Sequence, residues 1–225
     1  MMLLEDGYLM NINKGGVLDV SDISECSITD ALVAWYPLQG DVRDYSGYGN
    51  DGTVVGAVPS ARGYSFDGVN DRINSTIELQ GAGNPHTFSF WYKLNSAIST
   101  RTDPFTMGNA ATNQYSSIDL NGTYINWYFY SNDTIAQYTS PIGTWVHLTA
   151  SYFGGAASIT NKKLYIDAQE VVLTGGSSTV SNLPNNPNIG IGYDNGRNTA
   201  FFNGNISDVR IYNRALSAEE INILC

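Results

Sequence analysis

Residues Thr87 to Leu94 read TFSFWYKL, which sets Phe88, Phe90, Tyr92 and Leu94 on one face at a period of two. That period belongs to a strand with one buried face and not to a helix, whose faces recur every 3.6 residues. Thr144 to Tyr152 repeats the pattern, with Val146, Leu148, Ala150 and Tyr152 alternating against Trp145, His147, Thr149 and Ser151. Leu32 to Pro37, Lys163 to Asp167, Asn188 to Gly192 and Asp208 to Tyr212 are further short extended runs, and Tyr124 to Tyr130 is aromatic on both faces. Asn121-Gly122, Asn195-Gly196 and Asn203-Gly204 are hairpin-turn dipeptides. One helix stands out, at the capping-box spacing Ser217-Ala218-Glu219-Glu220. These signals predict an all-β chain: a single two-sheet antiparallel β-sandwich with one short C-terminal helix.

Composition agrees and narrows the function. Only 14% of residues are charged, 12% are aromatic and 23 are glycine, the balance of a turn-rich β-protein. Eleven Lys and Arg against 21 Asp and Glu give a net charge of −10, which argues against a phosphate-neutralising surface and so against nucleic acid as a partner. No apolar run is long enough to span a membrane. Met1-Met2-Leu3-Leu4 leads directly into Glu5 and Asp6, which is not a secretory signal peptide. Without such a signal, the Asn-X-Ser/Thr sequons at Asn74, Asn121, Asn132 and Asn205 carry no weight. Residues 1 to 30 hold only short apolar patches, so the expected division is an N-terminal attachment arm, 1–30, and a sandwich domain, 31–225. The two cysteines, Cys26 and Cys225, are either incidental thiols or a single bridge.

Three groups of residues are candidates for chemistry. His86 and His147 fall inside strands and read as buried rings, and Asp119 is a lone acid on its strand where glycoside cleavage requires two. Asp167 and Glu170 flank a hairpin turn. No GxSxG, HExxH or P-loop occurs, so the chain is not expected to be an enzyme. Asp41, Asp44, Asn50 and Asp51 crowd a glycine-rich loop whose oxygens suit calcium, or which Asx hydrogen bonds hold closed. Aromatic residues are dense, and Tyr193 precedes Asp194-Asn195-Gly196-Arg197, a stacking ring beside directional polar groups of the kind a hydroxylated ligand needs. Tyr193, Asp194 and Arg197 are therefore the expected ligand contacts, with Trp127 next. Trp127 and Tyr128 are neighbours on a strand, so only one of them can face a ligand.

The blocks LVAWYPLQGDVRDYSGYGNDGTVVGA, YSFDGVNDRI, FSFWYKL, TWVHLTASY and FNGNISDVRIYNRALSAEEI resemble the laminin-G-like, concanavalin A-like jelly-roll family over about residues 31 to 224. The resemblance implies adjacent first and last strands, which brings a Cys26–Cys225 bridge within reach. It also implies a calcium ion joining the Asp41–Gly52 loop to an acid on the last strand, where Asp208 stands; the metal set is then Asp41, Asp44, Asn50 and Asp208. The family pattern has an acidic pair before the valine, and Ser207-Asp208 supplies one carboxylate fewer. The opening LLEDGYLMNIN resembles the starts of tail and other virion proteins of marine phages. The expected function is a non-enzymatic glycan-binding or adhesion module of a virus particle, such as a tail fibre, which binds a host-surface carbohydrate and joins other virion proteins through its arm. The alternatives are a structural virion decoration protein that binds no sugar, and a glycoside hydrolase with an unrecognised site.

Overall fold

A computed structural model describes residues 2–3, 9–10, 28–79, 83–109, 111, 114–129, 133–181 and 183–224. Cys26, Cys225, Tyr130 and Asn132, and with them the disulfide question, lie outside the described residues. The chain forms two units, Met1–Asp30 and Ala31–Cys225. In the first, β1 (Met2–Leu3) pairs antiparallel with β2 (Leu9–Met10).

The second unit runs in chain order through β3 (Leu32–Tyr36), β4 (Thr53–Val55), β5 (Val58–Pro59), β6 (Tyr64–Asp67), β7 (Arg72–Thr76), β8 (His86–Leu94), β9 (Thr102–Gly108) and β10 (Tyr115–Asn121). It continues through β11 (Tyr124–Tyr128), β12 (Thr134–Gln137), β13 (Val146–Tyr152), β14 (Ala156–Ser158), β15 (Lys162–Ile166), β16 (Gln169–Val171), β17 (Leu173–Val180), β18 (Asn188–Ile191) and β19 (Asn203–Tyr212), and ends in α1 (Ala218–Leu224). A nine-stranded sheet has the order β14-β17-β12-β11-β10-β9-β18-β7-β4. An eight-stranded sheet has the order β16-β15-β13-β8-β19-β6-β5, with β3 also on β19. Among the described residues every pairing between these strands is antiparallel.

The alternating faces build the core. Phe88, Phe90, Tyr92, Val146, Leu148 and Ile211 of the smaller sheet are buried against Phe105, Ile118, Ile125, Trp127 and Ile191 of the larger. Phe88 stacks on Phe105 at 4.6 Å and meets Trp127 edge-on at 5.9 Å. Each such side chain contributes about 1.5–3 kcal/mol of burial free energy. His86 is buried on the core side of β8, and His147 is buried on the other face of β13, where Ser89 Oγ lies 2.9 Å from its Nε2. Asp167 and Ala168 form the turn between β15 and β16 at φ of 49° and 61°.

The capping box forms as its spacing predicts: Glu220 N donates to Ser217 Oγ and Ser217 N to Glu220 Oε2. One turn signal misleads, because Asn203-Gly204 lies inside β19 and not at a hairpin. A Cβ at Gly204 would stand 2.2 Å from Lys93 O, so this glycine serves a close approach between strands.

Candidate functional site

The outward face of the nine-stranded sheet is polar across β9, β10 and β11. Thr106, Ser117, Asp119, Asn126 and Tyr128 alternate there with the buried Phe105, Ile118, Ile125 and Trp127. The register between β9 and β10 shifts between Ile118 and Leu120. Asp103, which strict alternation would place with Phe105 in the core, instead accepts from Ser117 Oγ at 2.9 Å. Asp103, Asp119 and Asp194 thereby converge on Arg101, at 2.5, 3.3 and 2.8 Å. Asp119 is thus not isolated in space, and no single stretch of sequence shows the acids that join it.

Asp194 is fully buried and holds the loop that follows β18. Its Oδ1 accepts from Tyr115 Oη (2.5 Å), Gly196 N (3.0 Å) and Arg197 N (3.1 Å), and its Oδ2 from Arg101 and Arg197, each at 2.8 Å. Arg197 continues to Tyr128 Oη at 2.9 Å. Burial raises the Asp194 carboxyl, and the hydrogen bonds from Tyr115 and Arg197 outweigh it, leaving the group below its usual range. Its neighbours go the other way: burial, then the charge of Asp103, pushes Asp119 up to about 7, and burial pushes Asp103 to about 6 against the pull of Arg101.

The loop forms one wall of a groove of about 460 Å³ lined by Asp51, Thr53, Asn74, Thr76, Asn188, Tyr193 and Asn195, among others. Tyr193 Oη donates to Asn74 Oδ1 at 2.5 Å, and Asn195 Nδ2 to Asn188 O at 3.0 Å. Asn195 Oδ1 is buried with no partner among the described residues. The wall depends on Gly190, where a Cβ would stand 2.5 Å from Thr106 Oγ1 and 2.7 Å from Asn195 Cβ.

Two expected roles are corrected. Trp127 cannot serve as a platform: it is fully buried between Phe88 and Phe129, with its indole N–H on Ser116 Oγ at 3.0 Å. Tyr128 takes the outward place. Tyr193 lines the groove, but the residue is only 7% exposed, its ring stacked on Phe201 at 5.9 Å with Arg72 5.7 Å from its centre. It offers an edge and a hydroxyl, not a stacking face. Asp194 and Arg197 position the loop.

The acidic loop closes on itself. Asp44 Oδ1 accepts from Trp35 N (3.0 Å) and Ser46 N (2.9 Å), and Oδ2 from Asn50 N and Nδ2, both at 3.0 Å. Asp41 pairs with Arg43 at 3.3 Å. Asp208 reaches the loop through Trp35, accepting from its indole N–H at 2.7 Å and from Arg210 at 3.0 Å. N–H donors occupy both oxygens of Asp44 and Oδ1 of Asp208, so a calcium ion held by Asp41, Asp44, Asn50 and Asp208 would have to displace them. Among the described residues no group of three or more His, Cys, Asp or Glu is placed to hold a metal. Nor, among them, is any helix long and apolar enough to cross a membrane.

Residues 67–222 match the Laminin_G_3 family, described as the concanavalin A-like lectin/glucanases superfamily. Domain 4 of AbnA, a GH43 extracellular arabinanase from Geobacillus stearothermophilus solved in complex with arabinotriose, superposes with a TM-score of 0.66 at 22% identity, covering 86% of this chain and 97% of that one. The botulinum neurotoxin serotype D ligand binding domain in complex with N-acetylneuraminic acid gives 0.65 at 20% identity, covering 88% and 51%. The receptor binding domain of botulinum neurotoxin D gives 0.66 at 18%, covering 88% and 53%. This chain spans about half the length of those toxin domains. At these identities the likeness is one of fold. No curated protein matches the sequence.

Proposed function

Because this chain belongs to the concanavalin A-like lectin/glucanases superfamily, we propose that its sandwich is a non-catalytic carbohydrate-binding module whose site is the groove beside Tyr193. The observation that carries this reading is the lining of that groove: amides and hydroxyls from β4, β7, β18 and the loop after it, and one carboxylate. Sugar hydroxyls donate and accept in the directions such a lining offers. The structural neighbours solved with arabinotriose and with N-acetylneuraminic acid support a sugar ligand. We place the module on a virus particle, attached through Met1–Asp30, on the strength of the opening sequence.

A second reading, glycoside hydrolysis, draws on Asp119, whose pKa is pushed up to about 7, beside Asp103 on the same arginine. One titration series separates the readings. Arabinotriose and a panel of neutral oligosaccharides are titrated into the full chain by calorimetry, and each mixture is then incubated for days and assayed for new reducing ends. Binding without cleavage is expected, with Asn188→Ala and Tyr193→Phe each weakening it about tenfold, near the loss of one hydrogen bond to a ligand. Tyr48→Ala, in a separate cleft lined by Asn50, Glu78 and Asn186, is expected to leave binding intact. Loss of binding in Tyr48→Ala with none in Asn188→Ala moves the site to that cleft, and new reducing ends abolished by Asp119→Asn establish the hydrolase.

A further inference from the structure

The eight-stranded sheet carries an unusual group on its own outward face. Trp91 on β8 is directly opposite His147 on β13, and Trp145 immediately precedes that strand. Both indoles are half-buried. The guanidinium of Arg62 lies 4.3 Å from the centre of Trp91 and 4.7 Å from that of Trp145, and Lys93 Nζ lies 5.4 Å from Trp145. Two cations thus share one ring.

The turn that delivers Arg62 is fixed. Ser60 N donates to Gly63 O at 2.9 Å, Asn205 Nδ2 donates to Ser60 Oγ at 3.1 Å, and a Cβ at Gly63 would stand 2.0 Å from Ile206 O. Neither Arg62 nor Lys93 is ion-paired to a carboxylate among the described residues, whereas Arg43, Arg101, Lys163, Arg197, Arg210 and Arg214 all are. Arg210 makes the contrast sharp, because it stacks on Trp35 at 4.8 Å and is neutralised by Asp208.

On a chain of net charge −10, two unneutralised cations held together by indoles are an electrostatic expense that an anion would relieve. The cations cover the indoles, so the surface presents fixed N–H donors and little bare apolar area. That favours a small anionic group over the apolar core of a protein interface.

We propose that Arg62, Lys93, Trp91 and Trp145 form a second binding site, on the sheet opposite the groove, for the carboxylate or sulfate of an acidic saccharide. The site goes beyond the neutral-sugar reading and does not rest on it. Oligogalacturonate, dextran sulfate, neutral dextran and polyglutamate are titrated into the full chain, followed by tryptophan fluorescence and calorimetry. The acidic saccharides bind, more weakly as salt rises from about 50 to 200 mM. Arg62→Gln and Lys93→Gln each lower that affinity about fivefold, and together about twentyfold or more. Melting and arabinotriose binding stay unchanged in both variants, so a failure of the neutral site is read separately. Preference for oligogalacturonate assigns a carboxylate and preference for dextran sulfate a sulfate. Equal affinity in the double variant, no binding of either acidic saccharide, or polyglutamate binding as tightly as the saccharides overturns the proposal.

Discussion

Two parts of this sandwich gather aspartates, and they treat them in opposite ways. In the Asp41–Gly52 loop the acids are close in sequence, and backbone and amide N–H groups absorb their charge. Burial raises Asp44, but the bonds from Ser46, Trp35 and Asn50 outweigh it and leave the carboxyl below its usual range. Around Arg101 the acids come from residues 103, 119 and 194, and two guanidinium groups must serve three carboxylates. Asp119 is left with one oxygen unpartnered among the described residues and a raised pKa. Crowding in sequence marks a turn that satisfies itself; crowding in space marks a place where charge is left over.

The sharpest way to break this contrast is Asp194→Ala. It leaves Arg101, Arg197 and Tyr115 facing a buried void, and its cost is about 3–5 kcal/mol, a melting drop on the order of 10 °C at this chain length. A drop no larger than that of a surface substitution removes Asp194 from the centre of the network. Asp44→Ala comes second. It orphans N–H groups that are half in water, at about 1–3 kcal/mol in chemical denaturation, and a larger loss than for Asp194→Ala inverts the comparison.

The third test uses pH. The lowered pKa of Asp44 contributes stability above its unfolded value of 3.8 and loses it as pH falls through the folded value. Asp119 has the opposite sign, contributing fully below 3.8 and losing that contribution as pH rises to about 7. His86 and His147, lowered to about 4 by burial, lose theirs as pH falls from 6.5. Relative to the parent, Asp119→Asn should therefore gain about 1–2 kcal/mol between pH 5 and pH 8; a parallel pair of stability curves contradicts this. The smallest effect concerns the metal. If the loop is as self-sufficient as its hydrogen bonds indicate, melting curves in calcium and in chelator superimpose, and a calcium-dependent rise means that Asp44 exchanges its N–H partners for the ion.

The legibility of the molecule follows the same division. Strands such as His86–Leu94 and Val146–Tyr152 were readable because one face is apolar and the period is two. Within YINWYFY, Tyr124–Tyr128 was readable as a strand but not as to its sides, since rings occupy both; burial chose Trp127 for the core and left Tyr128 to Arg197. The Arg101 network was not readable, because it needs the register of β9 on β10 and the shift that turns Asp103 outward. Tyr193 was singled out by its polar neighbours as a stacking ring, yet its face is taken by Phe201, which the sequence places eight residues on.

The position of β19 governs the order in which the molecule can assemble. This ten-residue strand bridges β8 on one side and β3 and β6 on the other. During synthesis the sheet stays split until residue 212 is available, with His86–Leu94 and Tyr64–Asp67 each presenting an open edge. Pairings this distant in sequence close slowly, and exposed edges recruit other chains. A chain stopped short of Asn203 would therefore be prone to aggregate, although most of its hydrophobic residues are already in place.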